Sequence, residues 1–384
     1  MSDLFALQND SASFNKEFSE TEKISWLRLI RTEGIGPITF YQLTERFGSA
    51  QKAIEHLPEL SKRAGRMKVR KVASLESAEK ELSQLERFGA QIICAGEQNY
   101  PLALSAIDDA PPVITVRGDA GLLQQQGIGV VGARNASLNG RKFAETLSAE
   151  LGQAGQIITS GLARGIDTSA HQGALKTGTV AVVAGGIDVI YPEENTNLYE
   201  QISEQGCVVA ESPFGQVPFA QSFPKRNRII SGLSAGVLVV EASLRSGSLI
   251  TARIAAEQGR DVFAVPGFPM DPRAAGPNKL ISDGAILVQK AEDVLNTLNS
   301  FTRSIPKSFQ EHAQTEFQAY EEDEVVILDA QKIILSKLAH TPVQQDILLR
   351  DCNLDSAAFS SALLELEIAA KVQRHPGGKI SLIR

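Results

Sequence analysis

Positive charge is in short supply. The 38 lysines and arginines are outnumbered by 45 aspartates and glutamates, a formal net charge of -7. That excludes a surface coated for nucleic acid, so any such site must be a local patch. Cysteine is scarcer still. Cys94, Cys207 and Cys352 lie far apart with no C-x-x-C pair, the first two in or beside apolar runs, which excludes a disulfide framework and points to a reducing, cytoplasmic setting. No H-E-x-x-H or cysteine–histidine grouping is present, so no metal is expected. No apolar stretch nears the roughly 20 residues of a membrane span, and the acidic opening MSDLFALQNDSASFNKEFSE lacks a basic-then-apolar leader, so no membrane contact is expected. Catalytic groupings are missing too. His171 in HQGAL has no Ser or Cys nucleophile on a sharp elbow nearby and reads as a packed or phosphate-facing histidine. Asp167 reads as a helix N-cap, and Asp188 in AGGIDVIYP as an acceptor for loop amides. No residue is assigned a catalytic role, and the chain is read as a non-enzyme.

What is there begins with PKRNRIISGLSAG at 224–236, where Lys225, Arg226 and Arg228 crowd into four positions just before an apolar, strand-like run at 237–240. Such a cluster calls for an anionic partner. Asn227 and Ser231 add neutral donors, and a helix over about 227–234 would aim its free amides and the positive end of its dipole at the same anion. Phe214, Phe219 and Phe223 flank the cluster, and any one of them could stack a base.

At 384 residues the chain should hold two or three units. Residues 24–88 show helical periodicity around Trp26, Leu27 and Ile30, then GIGP at 34–37, then Tyr41, Leu43 and Phe47, which predicts a small SAM- or helix-hairpin-helix-like domain over 1–90 with a disordered start. The basic run SKRAGRMKVRK at 61–71 reads as a solvated helix face. From 91 to 300 short β-branched runs alternate with helical segments, the pattern of an α/β doubly wound parallel sheet. Residues 301–328, with EEDE at 321–324, read as an acidic linker. The last stretch, 329–384, offers three helical patterns and a hairpin around Gly377-Gly378, a winged helix.

GIGVVG at 127–132 matches the dinucleotide fingerprint letter for letter, yet the strand 128–131 lies inside the match instead of before it, and the ribose-binding acid after the next strand is missing. No nicotinamide or flavin cofactor is therefore expected. What recurs instead is a polar, glycine-rich turn after one strand after another. Gly132 leads into Ala133-Arg134-Asn135; Ser160, Gly161, Arg164 and Gly165 follow the next strand; Gly185-Gly186 follow the third; Ser246, Gly247 and Ser248 lie beyond the 237–240 strand. In a parallel sheet these turns share the carboxyl edge, where open α/β folds bind ligands. Together with Lys225, Arg226, Asn227 and Arg228 they form the candidate binding set.

Residues 98–290 resemble the DNA-processing protein A family, also called Smf. The resemblance rests on YPLALSAIDDAPPVITVRG (100–118), GVVGARNAS (129–137), SGLARGIDTSAHQGAL (160–175), AGGIDVIYPEEN (184–195), FPKRNRIISGLS (223–234), VVEASLRSGSLITARIAAEQGRDVFAVPG (239–267) and GPNKLISDGA (276–285), in the family's usual order. It implies a Rossmann-like domain that binds single-stranded DNA, protects incoming strands during natural transformation, helps load the RecA recombinase and dimerises. Carried over, Arg134, Lys225, Arg226 and Arg228 would contact phosphates, while Gly161, Arg164, Gly185, Gly186, Ser246 and Gly247 would line the same pocket. About four such contacts would weaken binding roughly fiftyfold between about 50 and 200 mM salt. In one place the chain departs from the family: some members carry a lysine in the Y-P-x-x-N segment, where this chain has Glu193 and Glu194. The third tail helix, DSAAFSSALLELEIAAK, holds acids and no arginine, so a partner-binding or regulatory tail is expected over a groove reader. The rival reading is a phosphoribohydrolase-like nucleotide enzyme on a similar frame. Its PGGxGT signature is missing; AVPGFP (264–269) and SGSLITA (246–252) stand in the corresponding places and leave Glu241 without a glycine-rich partner.

Overall fold

A computed structural model describes residues 17–63, 72–302, 324–375 and 377–383. The opening segment, most of the basic run at 61–71 and most of the acidic linker lie outside the described residues. The chain opens with α1 (Glu20–Arg31), α2 (Pro37–Phe47) and α3 (Ala50–Arg63). A nine-stranded sheet unit follows. Its strands are β1 (Ala90–Cys94), β2 (Val113–Gly118), β3 (Gly127–Val131), β4 (Ile157–Ser160), β5 (Thr179–Val182), β6 (Cys207–Ala210), β7 (Gly236–Val239), β8 (Asp261–Ala264) and β9 (Ile286–Leu287). Its helices are α4 (Leu75–Arg87), α5 (Leu102–Ser105), α6 (Leu138–Gln153), α7 (Ile166–Ala174), α8 (Thr196–Gln205), α9 (Ser222–Gly232), α10 (Gly247–Glu257), α11 (Ala275–Ser282) and α12 (Ala291–Thr302). The tail comprises α13 (Glu324–Lys337), β10 (Val343–Gln344), α14 (Gln345–Cys352), α15 (Ser356–Ile368), β11 (Val372–His375) and β12 (Lys379–Leu382). Among the described residues no helix is long and apolar enough to cross a membrane.

The sheet order is β1-β2-β6-β5-β4-β3-β7-β8-β9, parallel from β6 to β9. Every residue of β3 to β7 is buried, because helices cover both faces, and that is why these strands read as unbroken apolar runs. Ile128, Val130, Ile158 and Leu238 meet Leu147 and Leu151 of α6, Ile166 and Ala170 of α7, and Val294 of α12 in one cluster. The expected doubly wound parallel sheet is present and carries an antiparallel edge. β1 and β2 pair antiparallel with each other, and β2 with β6. Residues 95–112 join β1 to β2 and hold only the four-residue helix α5, where a parallel return would ordinarily use a longer crossover helix.

Compact packing groups the segments differently from their order in the chain. Helix α4 belongs with the sheet, where Phe88 just beyond it meets Phe214 edge-on, ring centroids 5.9 Å apart. Residues 24–63 instead form one compact unit with the tail. Leu364 and Ile368 of α15 enter the same cluster as Leu29, Phe40, Leu43 and Leu57, while the opposite side of α15 packs through Phe359, Leu363 and Leu366 onto Ile334 of α13. The acids of α15 are internal. Glu365 accepts from Gln331 Nε2 at 2.6 Å and meets Arg46 at 3.5 Å; Glu367 accepts from Thr39 Oγ1 at 3.3 Å and pairs with Arg374. Helix α13 begins at Glu324, so 324–328, read as linker, is helical backbone.

Candidate nucleic-acid interface

The carboxyl ends of β3, β4 and β5 open into a solvent-open cleft, about 500 Å³ with the open solvent included. Arg134 reaches it from the turn after β3, Gly161, Ala163 and Arg164 from the turn after β4, and Val183 to Gly185 from the end of β5. Tyr191, Pro192 and Pro218 line its rim, and α9 adds Phe223 and Arg226. Arg226 is the unusual member. It is 6% exposed, and among the described residues its Nε and Nη1 find no hydrogen-bond partner. Burial lowers the guanidinium to about 10; the Asp167 carboxylate opposes that shift, and the like charge of Arg134 adds to it. A buried, unsatisfied cation is costly unless an anion or acceptor completes it, so the cleft has a floor that asks for a ligand.

The turn after β4 is shaped around this guanidinium. A Cβ at Gly161 would lie 1.5 Å from Arg226 Nη1, so only glycine leaves the arginine its place. Asp167 accepts from the Gly161 and Ala163 amides at 3.1 and 3.4 Å. It sits inside α7, whose N-cap is Gly165, so the N-cap reading gives way to a carboxylate tying down the turn; burial raises its pKa. His171 is packed, as its sequence context suggested. Its Nε2 accepts from the Leu162 amide at 3.3 Å and its Nδ1 meets Thr179 Oγ1 at 2.7 Å, whose own proton goes to Ile158 O at 2.7 Å. Those bonds suit the neutral ring, and burial together with Arg226 lowers its pKa to about 3. Replacing Gly161 by alanine is expected to push Arg226 out of the floor and weaken ligand binding tenfold or more, on the order of 1–3 kcal/mol for a lost charged contact. Titration calorimetry or polarisation checks it.

One wall is aromatic. Arg134, exposed, lies over the Phe223 ring at 5.1 Å, and Tyr191 meets Phe223 at 5.8 Å. Tyr191 escaped the sequence reading; its signal was its place in YPEEN beside two glycine-rich turns. Phe214 packs on Phe88 instead, and Phe219, 48% exposed, lies outside the cleft lining. Arg164 at the mouth pairs with Glu194.

The basic cluster does not act as one patch. Helix α9 starts at Ser222, five residues earlier than expected, so Lys225 to Arg228 lie within its body and its 100° steps send their side chains apart. Lys225 is exposed, Asn227 half-buried, Arg226 under the cleft. Arg228 faces elsewhere. It is buried, donates to Asp109 O at 2.7 Å and Glu211 Oε1 at 2.5 Å, and lies 3.3 Å from the Asp109 carboxylate. Burial alone would lower its pKa, but those carboxylates raise it. It is an internal ion pair and leaves the phosphate-contacting set.

Several turn residues serve the frame. Ser160 donates to Val130 O at 2.5 Å, tying β4 to β3. Gly132 lies against Ile166, Gly165 against the Ala133 and Arg134 carbonyls, and Gly186 against Pro213 O. Asp188 accepts from the Gly215 amide at 2.7 Å. Ser246, Gly247 and Ser248 do not line the cleft. They follow β7, which sits on the far side of β3 from β4 and β5, and Ser246 caps α10. At that β3/β7 switch point, where a doubly wound sheet would seat a dinucleotide phosphate on a helix N-terminus, a carboxylate is already present. Glu241 accepts from Ser137 N at 2.8 Å and Ser137 Oγ at 2.6 Å at the start of α6.

With that geometry in place, comparison with known proteins is direct. The sequence model of the family described as DNA recombination-mediator protein A matches residues 91–299, over half the chain. The chain belongs to the DNA-processing protein A (DprA/Smf) family. Residues 20–83 match the DprA-like N-terminal helix-hairpin-helix domain and 323–378 the DprA winged helix domain. Protein Smf of Escherichia coli is 38% identical over 312 residues, 80% of this chain and 82% of that one. DNA processing protein DprA of Streptococcus pneumoniae is 46% identical over 198 residues, 51% of this chain and 70% of its own. The X-ray structure of DprA from that species superposes with a TM-score of 0.61 at 34% identity, covering 73% of this chain and 98% of the other. A structure of DprA from Helicobacter pylori, described for its single-stranded DNA binding mode, superposes at 0.51 with 28% identity, covering 55% of this chain and 96% of the other.

Proposed function

We propose that this protein binds single-stranded DNA at the β3–β5 cleft, without catalysis, and in the cytoplasm acts as a dimer that protects incoming strands and helps load a RecA-type recombinase. The observation that carries the binding reading is Arg226, buried and unsatisfied beneath an aromatic wall of Tyr191 and Phe223, with Arg134 above it. A strand offers both things this cleft lacks, phosphate oxygens for the cations and flat bases for the rings. A stacked duplex hides its bases. Family membership and the Helicobacter pylori relative support the ligand class; the recombinase and the dimer rest on family resemblance alone.

The enzyme reading loses ground on residue roles. Asp167 holds loop amides, His171 is neutral and bonded at both nitrogens, and Glu241 closes the α6 N-terminus where a nucleotide phosphate would sit. With Arg228 removed from the phosphate-contacting set, Arg134, Lys225 and Arg226 remain, Arg164 being already neutralised by Glu194. About three contacts, each with a single-strand slope of about 0.7, predict roughly twentyfold weaker binding between about 50 and 200 mM salt. Polarisation of a labelled oligothymidine across that range tests it, with a duplex of the same length as the comparison. A flat salt response, or equal affinity for the duplex, would overturn the reading.

A further inference from the structure

Arg164 lines the cleft, and among the described residues it is the one cleft cation in direct ion-pair contact with a carboxylate, Asp167 acting on Arg226 only from further away. Its Nε pairs with Glu194, and the two side chains are 62% and 60% exposed. So open a pair adds little to stability. Its position, however, is held by buried neighbours. Glu194 sits in the short 3-10 turn Glu193–Asn195, and Asn195, 7% exposed, donates from Nδ2 to Leu162 O at 2.8 Å and to Thr168 Oγ1 at 3.0 Å. Thr168 donates in turn to Ala163 O at 2.7 Å. The loop carrying the acid is thereby pinned to the turn carrying Arg164. No carboxylate ion pair to Arg134 or Arg226 exists among the described residues.

We propose that Glu194 is an intramolecular competitor for DNA phosphate at Arg164, a carboxylate at the cleft mouth that keeps the bound strand releasable; this rests on the single-strand reading above. A carboxylate and a phosphate offer a guanidinium the same pair of anionic oxygens. A phosphate reaching Arg164 must displace Glu194, and when the strand lifts, the tethered acid recaptures the cation. The cleft thus holds firmly at Arg226 and Arg134 and loosely at its mouth. That arrangement suits a protein that passes its strand onward.

The test is a mutant cycle read as dissociation constants and release rates for labelled oligothymidine at low salt. Glu194→Gln is expected to tighten binding about two- to fivefold and to slow release. Glu193→Gln, an exposed neighbour with the same charge, should give a smaller gain. In an Arg164→Ala background, Glu194→Gln should gain no more than Glu193→Gln does. A Glu194→Gln gain no larger than that of Glu193→Gln, or one that survives in the Arg164→Ala background, overturns the competitor. Arg134→Ala separates the two ideas. If it loses binding while Glu194→Gln gains nothing, the competitor alone falls; if it binds as tightly as the unaltered chain, the cleft itself is not the site.

Discussion

Replacing Arg228 by alanine should lower the stability of the sheet unit by about 3 kcal/mol, leaving Asp109 and Glu211 facing one another without their cation. Breaking a buried pair by removing one partner costs about 3–5 kcal/mol, and the lower figure applies because Asp109 stays 42% exposed and can rehydrate. For a unit of this size the loss corresponds to a melting temperature lower by roughly 6–12 °C. Far-UV circular dichroism measures it. Arg134→Ala should behave in the opposite way, losing DNA affinity with an unchanged melt, since its side chain is exposed and lies over the Phe223 ring. If Arg228→Ala melts normally and loses only DNA binding, the internal assignment is wrong. Two arginines of one basic cluster are thus separable by experiment.

Ile368→Ala should unfold helices more than 300 residues away in sequence. Ile368 is fully buried and shares its cluster with Leu29, Phe40 and Leu57. Truncating such a side chain removes its transfer free energy and leaves a cavity between two segments that cannot easily collapse, about 3 kcal/mol. The chain supplies its own reporter, because its single tryptophan, Trp26 in α1, packs on Phe40 at 4.8 Å. Trp26 fluorescence should therefore report an earlier unfolding transition in the variant. An unchanged transition would mean that the tail does not support the N-terminal helices. The same packing explains why α15 carries acids and no arginine. Its glutamates meet Arg46, Gln331, Thr39 and Arg374 inside the unit, so this helix is fitted to a protein neighbour and not to a DNA groove.

Legibility differed by type of signal. The buried central strands and their glycine-rich turns were plain, since a strand covered on both faces must be apolar throughout and a turn against a backbone must be small. The antiparallel β1–β2 edge was not, because the composition of a strand does not carry its direction. In the site, Arg134, Gly161, Arg164, Gly185 and Arg226 came together as the turn pattern implied. Ser246, Gly247 and Ser248 have the same kind of sequence but follow a strand on the other side of β3, a placement that only strand order reveals.

By itself, the sequence determined the α/β frame, the tail's three helices and hairpin, and the family. The frame and the tail follow from periodicity and residue type, which act locally, and the family from its sequence blocks in order. Tertiary structure alone decided which charges are free. Lys225, Arg226 and Arg228 are near neighbours in the chain, yet one lies in solvent, one lies beneath the cleft, and one is closed in an ion pair with Asp109 and Glu211. The physical reason is that a charge's role depends on its burial and its partners, and these come from helix phase and from segments distant in sequence.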